Sequence, residues 1–394
     1  MSYQLSRRAL GASSSVIREI LKVTERPDVI SFAGGLPSPE GFPITQLAKA
    51  YETVFATQPK TALQYGPTEG YRPLREWVVE DFKQRGVEIN VDQVLIVSGS
   101  QQALDLIGKL FIDEGSKVLM ESPSYLGAIQ SFSQYGPIYD TIPTDDGGLI
   151  PESITEEKAA DARFLYALPN YQNPTGLTLN LERRIALVKR CAELNLPLIE
   201  DDPYGELRFT GEALPGLFAL SKQHGGCVIR MGSFSKILSP GLRLGFILAP
   251  EQIISKMVQL KQATDLHTAT VTQMAVYEAV KDGFLKEHLP KVRELYKRQC
   301  NFMLEAIEEN FGGGDVQWTK PEGGMFIWMK FPEQVNTTVL LPRAVEEQKV
   351  AYVPGEPFFP IASSAVTNNM RLSFVTVSED KIRTGVANLA KLFK

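Results

Sequence analysis

The chain has 394 residues, 43% apolar and 22% charged, the composition of an ordinary globular protein long enough for two domains that share a substantial core. Its net charge of −5, from 41 basic and 46 acidic residues, gives no basic surplus for nucleic acid, and no run is apolar and long enough for a signal peptide or a bilayer span. Cys191, Cys227 and Cys300 are scattered and odd in number, and His224, His267 and His288 lack ligand spacing, so reduced thiols, a cytoplasmic location and no metal site are expected.

Residues 14–23 predict a short amphipathic helix, with Val16, Ile20 and Val23 near one face and Arg18 towards the other. Val29-Ile-Ser-Phe-Ala then starts like a strand and is broken by Gly34, Gly35 and Pro37, a loop whose backbone can press against a ligand. A helix around Thr45–Thr57 follows. Gln64-Tyr65-Gly66-Pro67 is a turn-rich approach to another helix, from about Tyr71 to Gln84.

From residue 94 the pattern becomes α/β. Val94–Val97 reads as a short buried strand, and Ser98-Gly-Ser100-Gln101-Gln102 opens the helix carrying Leu104, Ile107 and Leu110. Such a strand–turn–helix junction gathers free backbone N–H groups at the positive end of a helix dipole, which suits a phosphate. Lys117–Glu121 is the next strand, and Tyr125 stands where the following helix begins, near the strand ends where open α/β sheets bind ligands. Arg163–Ala167 reads as a strand leading into the turn-rich Pro169–Gly176, and Leu181–Leu194 as a helix. Pro197-Leu-Ile-Glu-Asp201-Asp-Pro-Tyr204 is a strand ending in carboxylates, a costly cluster unless it meets a positive group or water.

Cys227–Met231 delivers the stretch around which the chain is organised, Met231-Gly-Ser-Phe-Ser-Lys236-Ile-Leu-Ser-Pro-Gly-Leu-Arg243. One amine, Lys236, stands among Ser233, Ser235 and Ser239, and Arg243 follows. A lysine can bond an aldehyde, while hydroxyls and a guanidinium suit a phosphate dianion, so the combination points to pyridoxal phosphate. A polar turn before a buried strand at Leu244–Leu248, with Lys236 solvated, accounts for this window equally well.

Helical patterns run from Pro250 to about Asn310, with a long polar stretch at Glu287–Asn301 where a change of domain is expected. Met325–Lys330, Val350–Val353 and Met370–Phe374 read as strands, and Glu379–Leu392 as a closing helix. The expected architecture is an α/β domain with a mostly parallel sheet flanked by helices over 45–295, and a smaller α+β domain over 296–394. The segment 1–44 is expected to pack with the smaller domain.

Taken together, Asn173-Pro-Thr-Gly, Asp201-Asp-Pro-Tyr204, Ser233-Phe-Ser-Lys236 with Arg243, and Arg371 resemble the fold type I pyridoxal-phosphate aminotransferases. Gly-Gly-Leu-Pro37, Tyr65 before Pro-Thr-Glu-Gly, and Ser98-Gly-Ser-Gln-Gln are similar to the 2-aminoadipate and kynurenine aminotransferase branch, and the resemblance spans nearly the whole chain. It implies that Lys236 bonds the cofactor aldehyde and moves the substrate Cα proton, while Asp201 pairs with the ring nitrogen. Asn173 and Tyr204 would bond the ring hydroxyl, and Tyr125 would stack on the ring. Ser100, Gln101, Ser233, Ser235 and Arg243 would hold the phosphate, with Tyr65 reaching it across a homodimer interface. Arg371 would clamp the substrate α-carboxylate, Gly34 and Gly35 would lie over the substrate, and Arg18 would meet a side-chain carboxylate such as that of glutamate or 2-aminoadipate.

Two other readings use the same residues. A lyase, a decarboxylase or an aromatic or kynurenine transaminase would differ only in how the substrate lies over the ring. A non-catalytic cofactor-binding regulator is disfavoured, because no basic DNA-binding module precedes the aminotransferase-like segment.

Overall fold

A computed structural model describes residues 3–11 and 26–393; the helix expected over 14–23, and Arg18 within it, lie outside the described residues. After strand β1 (Ile30–Ser31), helices α1 (Ile44–Thr57) and α2 (Arg72–Gln84) lead to β2 (Val94–Val97). The chain continues through α3 (Ser100–Phe111), β3 (Lys117–Glu121), α4 (Leu126–Ser133), β4 (Ile138–Ile142) and β5 (Ala162–Ala167). It then forms α5 (Leu181–Glu193), β6 (Leu198–Asp202), α6 (Leu217–His224), β7 (Val228–Ser233) and β8 (Gly245–Leu248).

These strands pair in the order β2-β8-β7-β6-β5-β3-β4, with only β8 antiparallel to its neighbours. Helices cover both faces, so the strands are largely apolar, and even at the edge of the sheet all four residues of β2 are fully buried. Leu95 and Val97 pack on one face with Ile199, Ile229 and Met231; Val94 and Ile96 pack on the other with Leu198 and Val228. Parallel pairing brings the carboxyl ends of β2, β3, β5, β6 and β7 to one edge. Because β8 runs the other way, its first residue, Gly245, arrives there too, opposite Ser233 and Val97.

Helices α7 (Glu251–Asp265), α8 (Thr270–Val280) and α9 (Phe284–Phe311) come next. The polar stretch expected to mark a change of domain is the middle of α9, a continuous 28-residue helix. Its Leu289, Val292, Tyr296, Cys300, Met303 and Ile307 form one buried stripe at helical spacing. Beyond it lie β9 (Gln317–Trp318), β10 (Phe326–Lys330), α10 (Thr337–Gln348), β11 (Val350–Ala351), β12 (Val353–Pro354), β13 (Asn369–Ser373) and α11 (Glu379–Ala390).

The smaller sheet is antiparallel, in the order β9-β10-β13-β12. The single strand expected over Val350–Val353 is two. β11 pairs in parallel with β1, while β12 joins β13, and Tyr352 between them donates its hydroxyl to Thr337 O at 2.7 Å. Through β1 and the bond from Ser373 N to Phe32 O (2.8 Å), the segment before α1 is stitched to the smaller sheet.

Candidate active site

At the carboxyl end of β6 the chain places three acids on alternating faces. Glu200 points to one side, where it accepts from Leu217 N and Phe218 N at the start of α6 and pairs with Arg230 at 2.5 Å. Asp202, on the same side, accepts from Arg230 (2.6 Å) and from Gly205 N (2.8 Å), which pins the turn after the strand. Burial pushes the Asp202 carboxyl up, but Arg230 outweighs it and holds the group below its ordinary value. Asp201 faces the other way and is 3% exposed. Its Oδ2 accepts from the Tyr166 hydroxyl at 2.6 Å, and no cation is bonded to it among the described residues. Burial raises its pKa to about 7, against the lowering effect of that hydrogen bond.

Lys236 follows β7 and is half-buried on the same side. Its Nζ donates to Gly35 O at 2.8 Å. Burial first, then the positive charges of Arg371 and Arg243, lower its pKa to about 8. Arg371 lies in β13, the inner strand of the small sheet opposite Trp328, and is 1% exposed. One Nη donates to Asn173 Oδ1 (2.8 Å) and the other to Ala33 O (2.9 Å), while Nε is buried without a partner. Phe326 and Phe358 flank the guanidinium, with ring centres 4.2 and 5.3 Å away. Burial lowers its pKa to about 10. Asn173 also donates to the Tyr204 hydroxyl at 3.4 Å, and burial pushes that phenol well up.

The junction between β2 and α3 has the geometry to seat an anion. Gly99 has φ +82°, and a Cβ there would lie 2.6 Å from an Arg243 nitrogen, so the arginine can rest against this turn only because the position is glycine. A Cβ on Gly245 would meet Gly232 O at 2.7 Å and Ser100 N at 3.3 Å, which places the start of β8 directly against the first turn of α3. Ser233 and Ser235 are buried nearby, the Ser235 N–H donating to Ser233 Oγ at 3.2 Å; Ser100 is half-buried and Gln101 exposed. Behind the seat, Asp265 accepts from Lys261 (2.7 Å), Gln102 (2.7 Å) and Ser98 (3.2 Å) and so braces the turn.

Tyr125 caps the start of α4 with its ring folded over Gly127. Burial, then Asp201, raises its pKa, while Arg371 and Arg243 lower it, which puts the phenol within the field of all three. Gly35 lies 3.8 Å from Phe326 Cζ at its would-be Cβ, whereas that of Gly34 meets only Leu36 N at 4.0 Å. Neither has a positive φ, so closeness of the backbone is their contribution. Tyr65 stands apart, 78% exposed and edge-on to His267 with ring centres 5.8 Å apart.

Tyr166, Ala33, Lys261 and Asp265 were given no place in the site by the sequence, and Gln102 was placed only at the helix opening. Only the i,i+4 spacing of Lys261 and Asp265 carried a local signal. The chemistry available is an amine poised to lose its proton, a buried carboxylate lacking a cation and a turn that can seat an anion along one sheet edge, with a buried guanidinium of the small sheet bonded to Asn173 beside them.

A family model described as "Aminotransferase class I and II" matches residues 27–389. The 2-aminoadipate transaminase of Thermus thermophilus is 45% identical over 383 residues, 97% of this chain and 94% of that protein. The aromatic-amino-acid aminotransferase 1 of Thermococcus litoralis is 43% identical over 396 residues, 99% and 94% of the two chains. Among solved structures, an alpha-aminoadipate aminotransferase from Thermus thermophilus, complexed with N-(5'-phosphopyridoxyl)-L-leucine, superposes with a TM-score of 0.90. It is 43% identical, with 98% of this chain and 96% of that chain covered.

Proposed function

The chain belongs to the class I and II aminotransferase family, and from that premise we propose that it moves an amino group between a dicarboxylic L-amino acid, 2-aminoadipate or glutamate, and a 2-oxo acid such as 2-oxoglutarate. Aromatic and branched-chain amino acids complete the proposed range, in keeping with the names of its relatives and the leucine adduct of the Thermus structure. Its cofactor is pyridoxal 5'-phosphate, which when bound supplies the electron sink that lets a Cα proton leave.

The observation that carries the reading is Asp201, a buried carboxylate with no bonded cation among the described residues, on the same sheet edge as Lys236. A protonated ring nitrogen would supply the missing positive charge. The open backbone turn at Gly99–Ser100 beside Arg243 likewise fits a phosphate.

On this reading Lys236 would hold the cofactor through its aldehyde, and its amine, once freed, would take the proton from the substrate Cα. Arg371 turns its fork of donors to the α-carboxylate and orients the Cα–H bond. Asn173 and Tyr204 bond the ring hydroxyl, Tyr125 covers one ring face, and Ser100, Gln101, Ser233, Ser235 and Arg243 hold the phosphate. Gly34 and Gly35 lie over the substrate. Arg18 takes the second carboxylate of the substrate; its place rests on the resemblance of Ser15-Val-Ile-Arg18 alone.

The dicarboxylate preference is tested by a panel of amino donors against 2-oxoglutarate. Arg18→Ala should lower kcat/KM for glutamate and 2-aminoadipate about tenfold or more relative to leucine, the scale of one lost charge-assisted bond. An unchanged ratio removes Arg18 from the site, and release of ammonia or carbon dioxide in place of transfer would favour the lyase reading.

The exposed Tyr65 suits a role across a subunit boundary, so the active unit proposed is a homodimer, in which Tyr65 of the partner subunit completes the phosphate site. A fully active monomer in light scattering would overturn this. The three unpaired cysteines favour a cytoplasmic location. No helix of the described residues is long and apolar enough to cross a membrane.

A further inference from the structure

Tyr166 sits in β5 opposite Ile199 of β6, so Asp201 lies two residues further along the neighbouring strand, on the same face of the sheet. That diagonal is within reach of a tyrosine but of few shorter side chains. The ring is fully buried and held edge-on by Phe132, with ring centres 5.7 Å apart. Its hydroxyl donates to Asp201 Oδ2 at 2.6 Å, and Oδ1 has no hydrogen-bond partner among the described residues. Burial and the charge of Asp201 keep the phenol un-ionised, so the group remains a donor wherever the enzyme works.

We propose that Tyr166 is a positioning residue for the cofactor: by occupying Oδ2 it fixes the plane of the Asp201 carboxylate and reserves Oδ1 for the ring nitrogen. The inference rests on the aminotransferase reading of the site and adds to it a residue that need not touch the cofactor. Two parallel strands set the geometry, and the edge-on phenylalanine prevents the tyrosine from turning away. A phenylalanine would fill the same space, so the hydroxyl is there for the carboxylate.

The test compares pyridoxal phosphate with its analogue carrying CH in place of the ring nitrogen, bound to full-length wild-type and Tyr166→Phe apoprotein. The substitution should weaken binding of the natural cofactor by about ten- to a hundredfold, the range for one lost hydrogen bond to a charged group. Binding of the analogue should change less than about threefold, because it offers Oδ1 no charge to meet. In the loaded enzyme kcat should fall with little change in KM for the amino acid. In an Asp201→Asn background the same substitution should change neither affinity by more than about threefold, whereas a general loosening of the fold would weaken both ligands there too. Equal losses for both ligands, or a loss for neither, would overturn the proposal. Failure of the wild-type protein to bind pyridoxal phosphate would instead overturn the aminotransferase reading itself.

Discussion

Lys236→Ala is expected to lower transamination by roughly 10⁴-fold or more, because one amine serves both as nucleophile and as proton carrier, and general acid–base assistance alone contributes on the order of 10²–10⁴. Cofactor should still bind through the phosphate seat and Asp201, so the variant would hold it without a covalent link. Appreciable turnover would refute the assignment. A pH profile gives a second, independent reading. The neutral amine is the reactive form, and burial, with Arg371 and Arg243, brings the Lys236 pKa to about 8 from an ordinary 10.5. Covalent capture of added pyridoxal phosphate by the apoprotein should therefore rise about tenfold per pH unit below 8 and level off above it. A rate that keeps climbing towards pH 10 would mean an unperturbed lysine.

Arg371→Lys should raise KM for both amino acid and 2-oxo acid and cut kcat/KM by about 10²- to 10³-fold, the span for damage to a buried hydrogen-bonded charge pair. Lysine keeps the charge but not the planar fork. Nor can it replace the guanidinium between Phe326 and Phe358 while supplying both Asn173 Oδ1 and Ala33 O. The absorbance of bound cofactor should stay unchanged, and amines lacking an α-carboxylate should react equally with both proteins. An unchanged KM would take the arginine out of substrate binding.

The strands that build the reactive edge were legible because strands covered on both faces leave apolar runs such as Val94–Val97 and Lys117–Glu121. Strand β4 was not, since Ile138–Ile142 is only partly buried and loses the apolar signature. Helix α10 was hidden by its internal Pro342, whereas α9 lies within the helical patterns expected from Pro250 to about Asn310. Val350–Val353 looked like one strand since periodicity says how a segment is buried but not which neighbour it pairs with. In the site, Lys236 stood out as an amine among hydroxyls and Asp201 as part of an acidic strand end, while Arg371 was reached only through the family resemblance. Tyr166 did not, because an aromatic residue in a core strand attracts no notice until the acid beside it is seen.

The resting protein already satisfies its two principal cations with its own main chain: Gly35 O takes Lys236, and Ala33 O takes Arg371. Both placeholders are neutral oxygens on one short loop. A carboxylate outcompetes a neutral carbonyl for a guanidinium, whereas an uncharged molecule gains nothing by the exchange. Ala33 thus supplies the neutral oxygen that a substrate carboxylate would displace from Arg371.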